Sequence, residues 1–86
     1  MIYVYVLEST VDPSQRYTGF TPDLKRRFAD HNAGRSPHTR KYRPWNLAVY
    51  LGFADENAAV GFERYLKTGS GRAFLKRHFM RRPPPI

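Results

Sequence analysis

The alternation of apolar and polar positions predicts three strands and three helices. Ile2-Tyr3-Val4-Tyr5-Val6-Leu7 is a β-branched and aromatic run that meets turn residues from Ser9, the signature of a first strand. Val11-Asp12-Pro13-Ser14-Gln15 is turn chemistry, because proline pre-sets its φ and Asp and Ser bond back to nearby backbone. Arg16 to Phe20 predicts a second short strand, so the first twenty residues read as a β-hairpin. Thr21-Pro22-Asp23 then predicts a helix start, with Thr as N-cap, Pro at the first helical position and Asp at the positive end of the dipole. Leu24, Phe28 and His31 recur at helical spacing, and Gly34 fits the C′ position. Ala33 to Pro44 is a loop, and Trp45 to Phe53 is the third strand. Asp55 is the candidate N-cap of a second helix reaching about Lys67, with Ala59, Phe62 and Leu66 on one stripe. Gly69-Ser70-Gly71 is expected to break it, and Arg72 to Phe79 to form a short basic third helix. The expected order is ββαβαα. Residues 1–80 form one domain and 81–86 a basic, proline-rich, extended tail.

Length and composition narrow the class. Eighty-six residues support one thin core. The absence of cysteine excludes a disulfide framework, a thiolate nucleophile, a Cys-ligated zinc and an iron–sulfur cluster. The apolar opening lacks a basic flank, meets Glu8 and is too short for a signal peptide or membrane span. No membrane association and a reducing cytoplasm are therefore expected. Fifteen Lys and Arg against seven Asp and Glu give a net charge of +8, and Arg outnumbers Lys eleven to four. Arginine is favoured where a planar fork must grip phosphate. With six Tyr, six Phe and one Trp for stacking, nucleic acid is the leading partner class.

Two helices carry residues out of place. With Leu24 at zero on a wheel of about 100° per residue, Phe28 falls at about +40°, His31 at about −20° and Arg27 at about −60°. Arg27 and His31 thus share the margin of the apolar stripe, one turn apart, whereas Lys25 and Arg26 point to solvent. On the second helix, with Ala59 at zero, Leu66 lies at about −20° and Glu63 at about +40°, inside the stripe. An unpaired carboxylate there costs several kcal/mol (roughly). It calls for Arg27, a lysine or a divalent metal ion. On the strands, Tyr3, Tyr5 and Leu7 share one face, as do Tyr17 and Gly19. The tyrosines meet on one face only if the hairpin connection is odd in length or bulged.

Tyr3-Val4-Tyr5, Tyr17-Thr18-Gly19, Leu24-Lys25-Arg26-Arg27-Phe28-Ala29-Asp30-His31-Asn32 and Glu63-Arg64-Tyr65-Leu66-Lys67, in that order, resemble the GIY-YIG nuclease domain over about residues 2 to 79. Lys67-Thr68-Gly69-Ser70-Gly71-Arg72-Ala73-Phe74 is similar to the small, single-domain bacterial members. The resemblance implies an α+β fold, a small three-stranded antiparallel sheet flanked by helices. It also implies site roles for Tyr5 and Tyr17, for Arg27 and His31 on the helix, and for Glu63 as metal ligand. The first motif departs from the family, with Tyr3 for Gly and Val4 for Ile, and the second has Thr18 for Ile. No Asn follows Asn57, so the polar residue many members place late in the domain is missing or replaced by Ser70 or another residue.

These roles suit phosphodiester hydrolysis. Glu63 would anchor one Mg²⁺ or Mn²⁺. Arg27 would hold non-bridging phosphate oxygens. Tyr5 or Tyr17 would relay a proton, with His31 orienting the phenol or shuttling the proton. Arg35, His38, Arg40, Lys41 and Arg43 in the loop, with Arg72, Lys76 and Arg77 on the third helix, are the expected track for a nucleic-acid backbone, DNA rather than RNA. Tyr42 and Trp45 offer stacking surfaces, but Trp45 at the start of a strand is expected to be a core anchor. The competing functions are a non-catalytic or weakly catalytic nucleic-acid-binding module and a basic domain docking an acidic protein. A protein partner for targeting is also compatible with a domain that stands alone.

Overall fold

A computed structural model describes residues 1–80, and the expected tail at 81–86 lies outside the described residues. The elements are β1 (Ile2–Ser9), β2 (Arg16–Thr21), α1 (Leu24–Asn32), β3 (Trp45–Phe53), α2 (Glu56–Leu66) and α3 (Gly69–His78), with a 3₁₀ turn at Arg40–Tyr42 inside the loop. The three strands form one antiparallel sheet in the order β2-β1-β3. The expected α+β class and element order hold.

The central strand β1 is buried on both faces, which explains its unbroken apolar run. Val4 and Val6 point to one side, into a core with Ala59, Leu66 and Leu75 of α2 and α3, flanked by Phe53, Phe62 and Phe74. Tyr5 and Leu7 point to the other, against Trp45, Leu24 and Phe28. Helix α1 therefore covers one face, and α2 with α3 the other.

Register decides where the tyrosines fall. Tyr5 stands opposite Gly19, and Leu7 opposite Tyr17. The odd-length connection holds, and both tyrosines share the α1 face. Between β1 and β3 the register shifts: Val6 faces Val49 but Leu7 faces Leu47, so Ala48 is an extra residue on β3. The bulge sends Trp45 and Leu47 to the α1 face and Val49 and Phe53 to the α2 face. One alternating pattern thus serves two cores.

Two expected boundaries move. Helix α1 begins at Leu24 and is capped by Asp23, whose carboxylate accepts from the Arg26 N–H, rather than by Thr21. Thr21 is the last residue of β2, and its hydroxyl accepts from the Asp23 N–H to turn the chain. Gly69-Ser70-Gly71 is the first turn of α3 rather than a break, capped by Thr68, whose hydroxyl accepts from the Gly71 N–H. A Cβ on Gly71 would clash with the Tyr65 carbonyl oxygen, so glycine lets α3 press against the end of α2. Gly34 has φ +79° at the C′ position after α1, as expected.

Candidate functional site at the free edge of the sheet

The site is built around the Tyr5 phenol. Its ring lies over Gly19 of the edge strand, where a Cβ would stand 2.7 Å from the hydroxyl. The glycine is a cradle, and only hydrogen there admits the phenol. The Tyr5 oxygen is 2.7 Å from His31 Nε2, and His31 Nδ1 is 2.7 Å from Thr39 Oγ1. His31 is 0% exposed and is the one buried residue of α1. The helical wheel put it at the margin of the stripe; it is the centre, flanked by Leu24 and Phe28.

Tyr17 completes the aromatic group, its ring 5.0 Å from the His31 ring and 6.3 Å from that of Tyr5. Arg27, one turn before His31, reaches the same place from the outer side of α1. Burial pushes the Tyr5 pKa up; the Arg27 guanidinium beside the phenol works against this, while Tyr17 and, most weakly, Glu63 add to the rise. The Arg27 pKa is in turn raised, first by its hydrogen bond with Tyr5, so it remains a cation. Burial and the Arg27 charge lower the His31 pKa, against a weaker push from Asp30, and the imidazole is neutral at pH 7.

Glu63 is 7% exposed, on the inner stripe of α2 as its spacing predicts. Of the three cations open to it, the structure supplies a lysine. Lys67 Nζ, one turn on, lies 2.5 Å from Glu63 Oε2 with 54% of its side chain exposed. Arg27 instead faces the phenols, so the ion pair between the two helices is not formed. Among the described residues no cluster of three or more His, Asp or Glu encloses a metal position. Glu63 offers one hard-oxygen donor, paired with a half-exposed lysine. An oxygen of this type is what would suit a divalent ion such as Mg²⁺.

A groove of about 550 Å³ follows the free edge of β2, lined by Arg16, Tyr17, Thr18, Lys67 and Arg72 among others. Tyr17 belongs to the α1 face and Thr18 to the opposite one, so the two sides of the sheet meet here. Of the expected backbone contacts, Arg72 lines this groove, and Lys76 and Arg77 are exposed on α3. The loop cations are exposed too, but several brace their own loop. Arg35 Nε donates to Asp30 at 2.7 Å, Arg40 Nε to the Gly34 carbonyl, and an Arg43 guanidinium nitrogen to the Arg40 carbonyl. Lys41 sits over the Tyr42 ring, and His38 is exposed. Trp45 is a core anchor, 4% exposed, with its indole N–H donating to the Thr39 carbonyl at 2.8 Å. Sequence reading missed Thr39, the Gly19 cradle and Arg16. A single threonine in a basic loop carries no periodic signal.

A sequence profile of the GIY-YIG catalytic domain matches residues 1–77. UPF0213 proteins of Streptococcus pyogenes serotypes M3 and M1 are 43% identical over 72 residues, covering 83% of this chain and 76% of each relative. The serotype M5 counterpart is 40% identical over the same length. The solution NMR structure of the UPF0213 protein BH0048 from Bacillus halodurans superposes with a TM-score of 0.56 at 30% identity, covering 98% of this chain and 89% of that one. Among the described residues no helix is long and apolar enough to cross a membrane. With matching motifs, fold and element order, the chain belongs to the GIY-YIG catalytic-domain family, a nuclease family whose substrates are nucleic acids.

Proposed function

We propose that this chain is a metal-dependent endonuclease that hydrolyses phosphodiester bonds in DNA with little intrinsic sequence selectivity. The observation that carries the reading is the convergence of Tyr5, Tyr17, Arg27 and His31, with the charge of a buried Glu63 felt at the Tyr5 phenol and Tyr17 lining a cationic groove. Binding alone gains nothing from a buried carboxylate that repels phosphate.

Each side chain has a task its geometry suits. Arg27 holds the non-bridging oxygens of the scissile phosphate and offsets charge that grows during attack. Glu63 would hold Mg²⁺ or Mn²⁺ in place of its Lys67 partner. Such an ion would supply positive charge against the phosphate. Tyr5 takes the proton of the attacking water, because its phenol, unlike that of Tyr17, has a neutral imidazole nitrogen at 2.7 Å behind it. Its raised pKa keeps it a neutral phenol, so it passes its own proton to His31 as it accepts the new one. Tyr17 positions Arg27. Arg16 and Arg72, with Lys76 and Arg77 beyond them, track the backbone and give affinity without sequence choice. Arg35, His38, Arg40, Lys41 and Arg43 extend the basic surface. A cytoplasmic location and a protein partner for targeting are compatible with this reading.

The Lys67–Glu63 pair favours one alternative, a nucleic-acid-binding module that retains the fold with weak or no cleavage. The test incubates the protein with supercoiled plasmid and a branched DNA in Mg²⁺, Mn²⁺ or EDTA, beside identically purified Glu63→Ala and Arg27→Ala. The nuclease reading predicts metal-dependent cleavage that falls about 10²- to 10³-fold in each variant while binding persists. Salt-sensitive binding with no cleavage by the unaltered protein selects the module instead.

A further inference from the structure

Thr39 is the residue of this region that nothing above assigns. It lies in the basic loop, is 0% exposed, and reaches the site only through His31. Its backbone is fixed on both sides. The Thr39 N–H donates to the Ser36 carbonyl at 3.3 Å, and its carbonyl accepts from the Tyr42 N–H and the Trp45 indole. The loop itself is closed by Asn32 at the end of α1, whose side-chain amide donates to the Trp45 carbonyl at 3.1 Å and whose oxygen accepts from the Trp45 N–H. A hydroxyl held this firmly beside a buried imidazole has a chemical consequence.

A neutral imidazole carries one N–H and one bare nitrogen, and the partner of each nitrogen selects the tautomer. The Tyr5 oxygen already faces the Arg27 guanidinium, which can only donate. The phenol proton therefore needs an acceptor, and His31 Nε2 is the one at 2.7 Å. That leaves the imidazole hydrogen on Nδ1, pointing at Thr39 Oγ1. The groups facing His31 from the elements around it are Tyr5 of β1, Tyr17 of β2, Arg27 and Asp30 of α1, and Thr39 of the loop. Among these, Thr39 alone has a hydrogen-bond contact with Nδ1.

We propose that Thr39 is a positioning residue for Tyr5: its hydroxyl accepts the His31 Nδ1–H and so keeps Nε2 bare to receive the phenol proton. The assignment rests on the nuclease reading only for its effect on rate. In the reaction the water O–H bond breaks and a new O–H forms on Tyr5, while the original Tyr5 O–H breaks and an N–H forms on Nε2. His31 becomes an imidazolium whose Nδ1–H stays bonded to Thr39. The phosphorus gains the water oxygen and loses the leaving oxygen, which takes a proton from solvent to become a hydroxyl. The proton held by His31 then returns to solvent, restoring the neutral ring.

The first test is made on the unaltered protein. Long-range proton–nitrogen NMR at pH 7 distinguishes a protonated ring nitrogen from a bare one. The proposal predicts Nδ1 protonated and Nε2 bare; a protonated Nε2 overturns it. The second compares Thr39→Val, which keeps shape and removes the acceptor, with Thr39→Ser, which keeps the hydroxyl. Thr39→Val is expected to lose tautomer preference and to lower kcat about 10- to 100-fold at unchanged KM, with Thr39→Ser restoring both. Equal losses in the two variants, or a change confined to KM, overturn the positioning role. Should the unaltered protein show no cleavage, the nuclease reading falls, and the spectrum still decides the tautomer assignment independently. Should Thr39→Val not fold, the unaltered spectrum and Thr39→Ser decide it.

Discussion

The two faces of β1 differ in what they are made of. Toward α2 and α3, Val4 and Val6 meet a dry cluster of aliphatic and aromatic side chains. Toward α1, Tyr5 meets an imidazole and a guanidinium, and the far nitrogen of that imidazole meets a buried threonine. Adjacent residues on one strand therefore do different work. The apolar face contributes stability through burial, whereas the polar face spends burial on holding a few groups at fixed distances. A groove lined by Tyr17, Thr18 and Lys67 opens where the two faces meet, at the free edge of β2, and Glu63 is buried on α2 on the apolar side.

The comparison can be broken or sharpened by substitution. Val6→Ala removes methyl groups from the dry face, and thermal or urea unfolding is expected to show a loss of about 2 kcal/mol. Cleavage per folded molecule should stay within about threefold of the unaltered rate, a factor worth less than about 0.7 kcal/mol. A larger loss of rate would mean the faces are not separable. Gly19→Ala places a methyl group where the Tyr5 hydroxyl sits. Because that phenol is pinned to His31, cleavage should fall about tenfold, or about 1.4 kcal/mol in the barrier, with a smaller change in melting temperature.

The smallest effect concerns pH. The His31 pKa is lowered in the folded chain, chiefly by burial, so below about pH 6.5 the unfolded chain takes up a proton that the folded chain resists. The stability this neutral histidine contributes is complete above about pH 6.5 and is lost as pH falls toward its folded pKa. Melting temperature should therefore drop over this window, and His31→Gln should flatten the drop.

Much of this was legible in the sequence because it follows from periodicity. Strand β3 runs over Trp45–Phe53 as its alternation predicts, and Asp55 caps α2 with bonds from the Asn57 and Ala58 N–H groups. Glu63 stood out as a charge inside an apolar stripe. Other features came from tertiary contact and left little local trace. The bulge at Ala48 preserves the alternation while switching its face. Gly69-Ser70-Gly71 reads as a break because glycine disfavours helix, yet its small size is what the approach of α3 to α2 requires. The loop arginines look like free cations in sequence, but Arg35, Arg40 and Arg43 are partly engaged with their own chain. The Thr39–His31–Tyr5 chain joins residues from a loop, a helix and a strand, which no spacing rule connects.

The most direct test of the division between the faces is Tyr5→Phe, which keeps the ring and removes one oxygen. Single-turnover cleavage of plasmid DNA should be measured beside DNA binding and urea unfolding of the same preparation. The account predicts a rate lower by about 100-fold or more, binding retained, and stability changed by less than about 1.5 kcal/mol. A Tyr5→Phe protein that cleaves at the unaltered rate would contradict it.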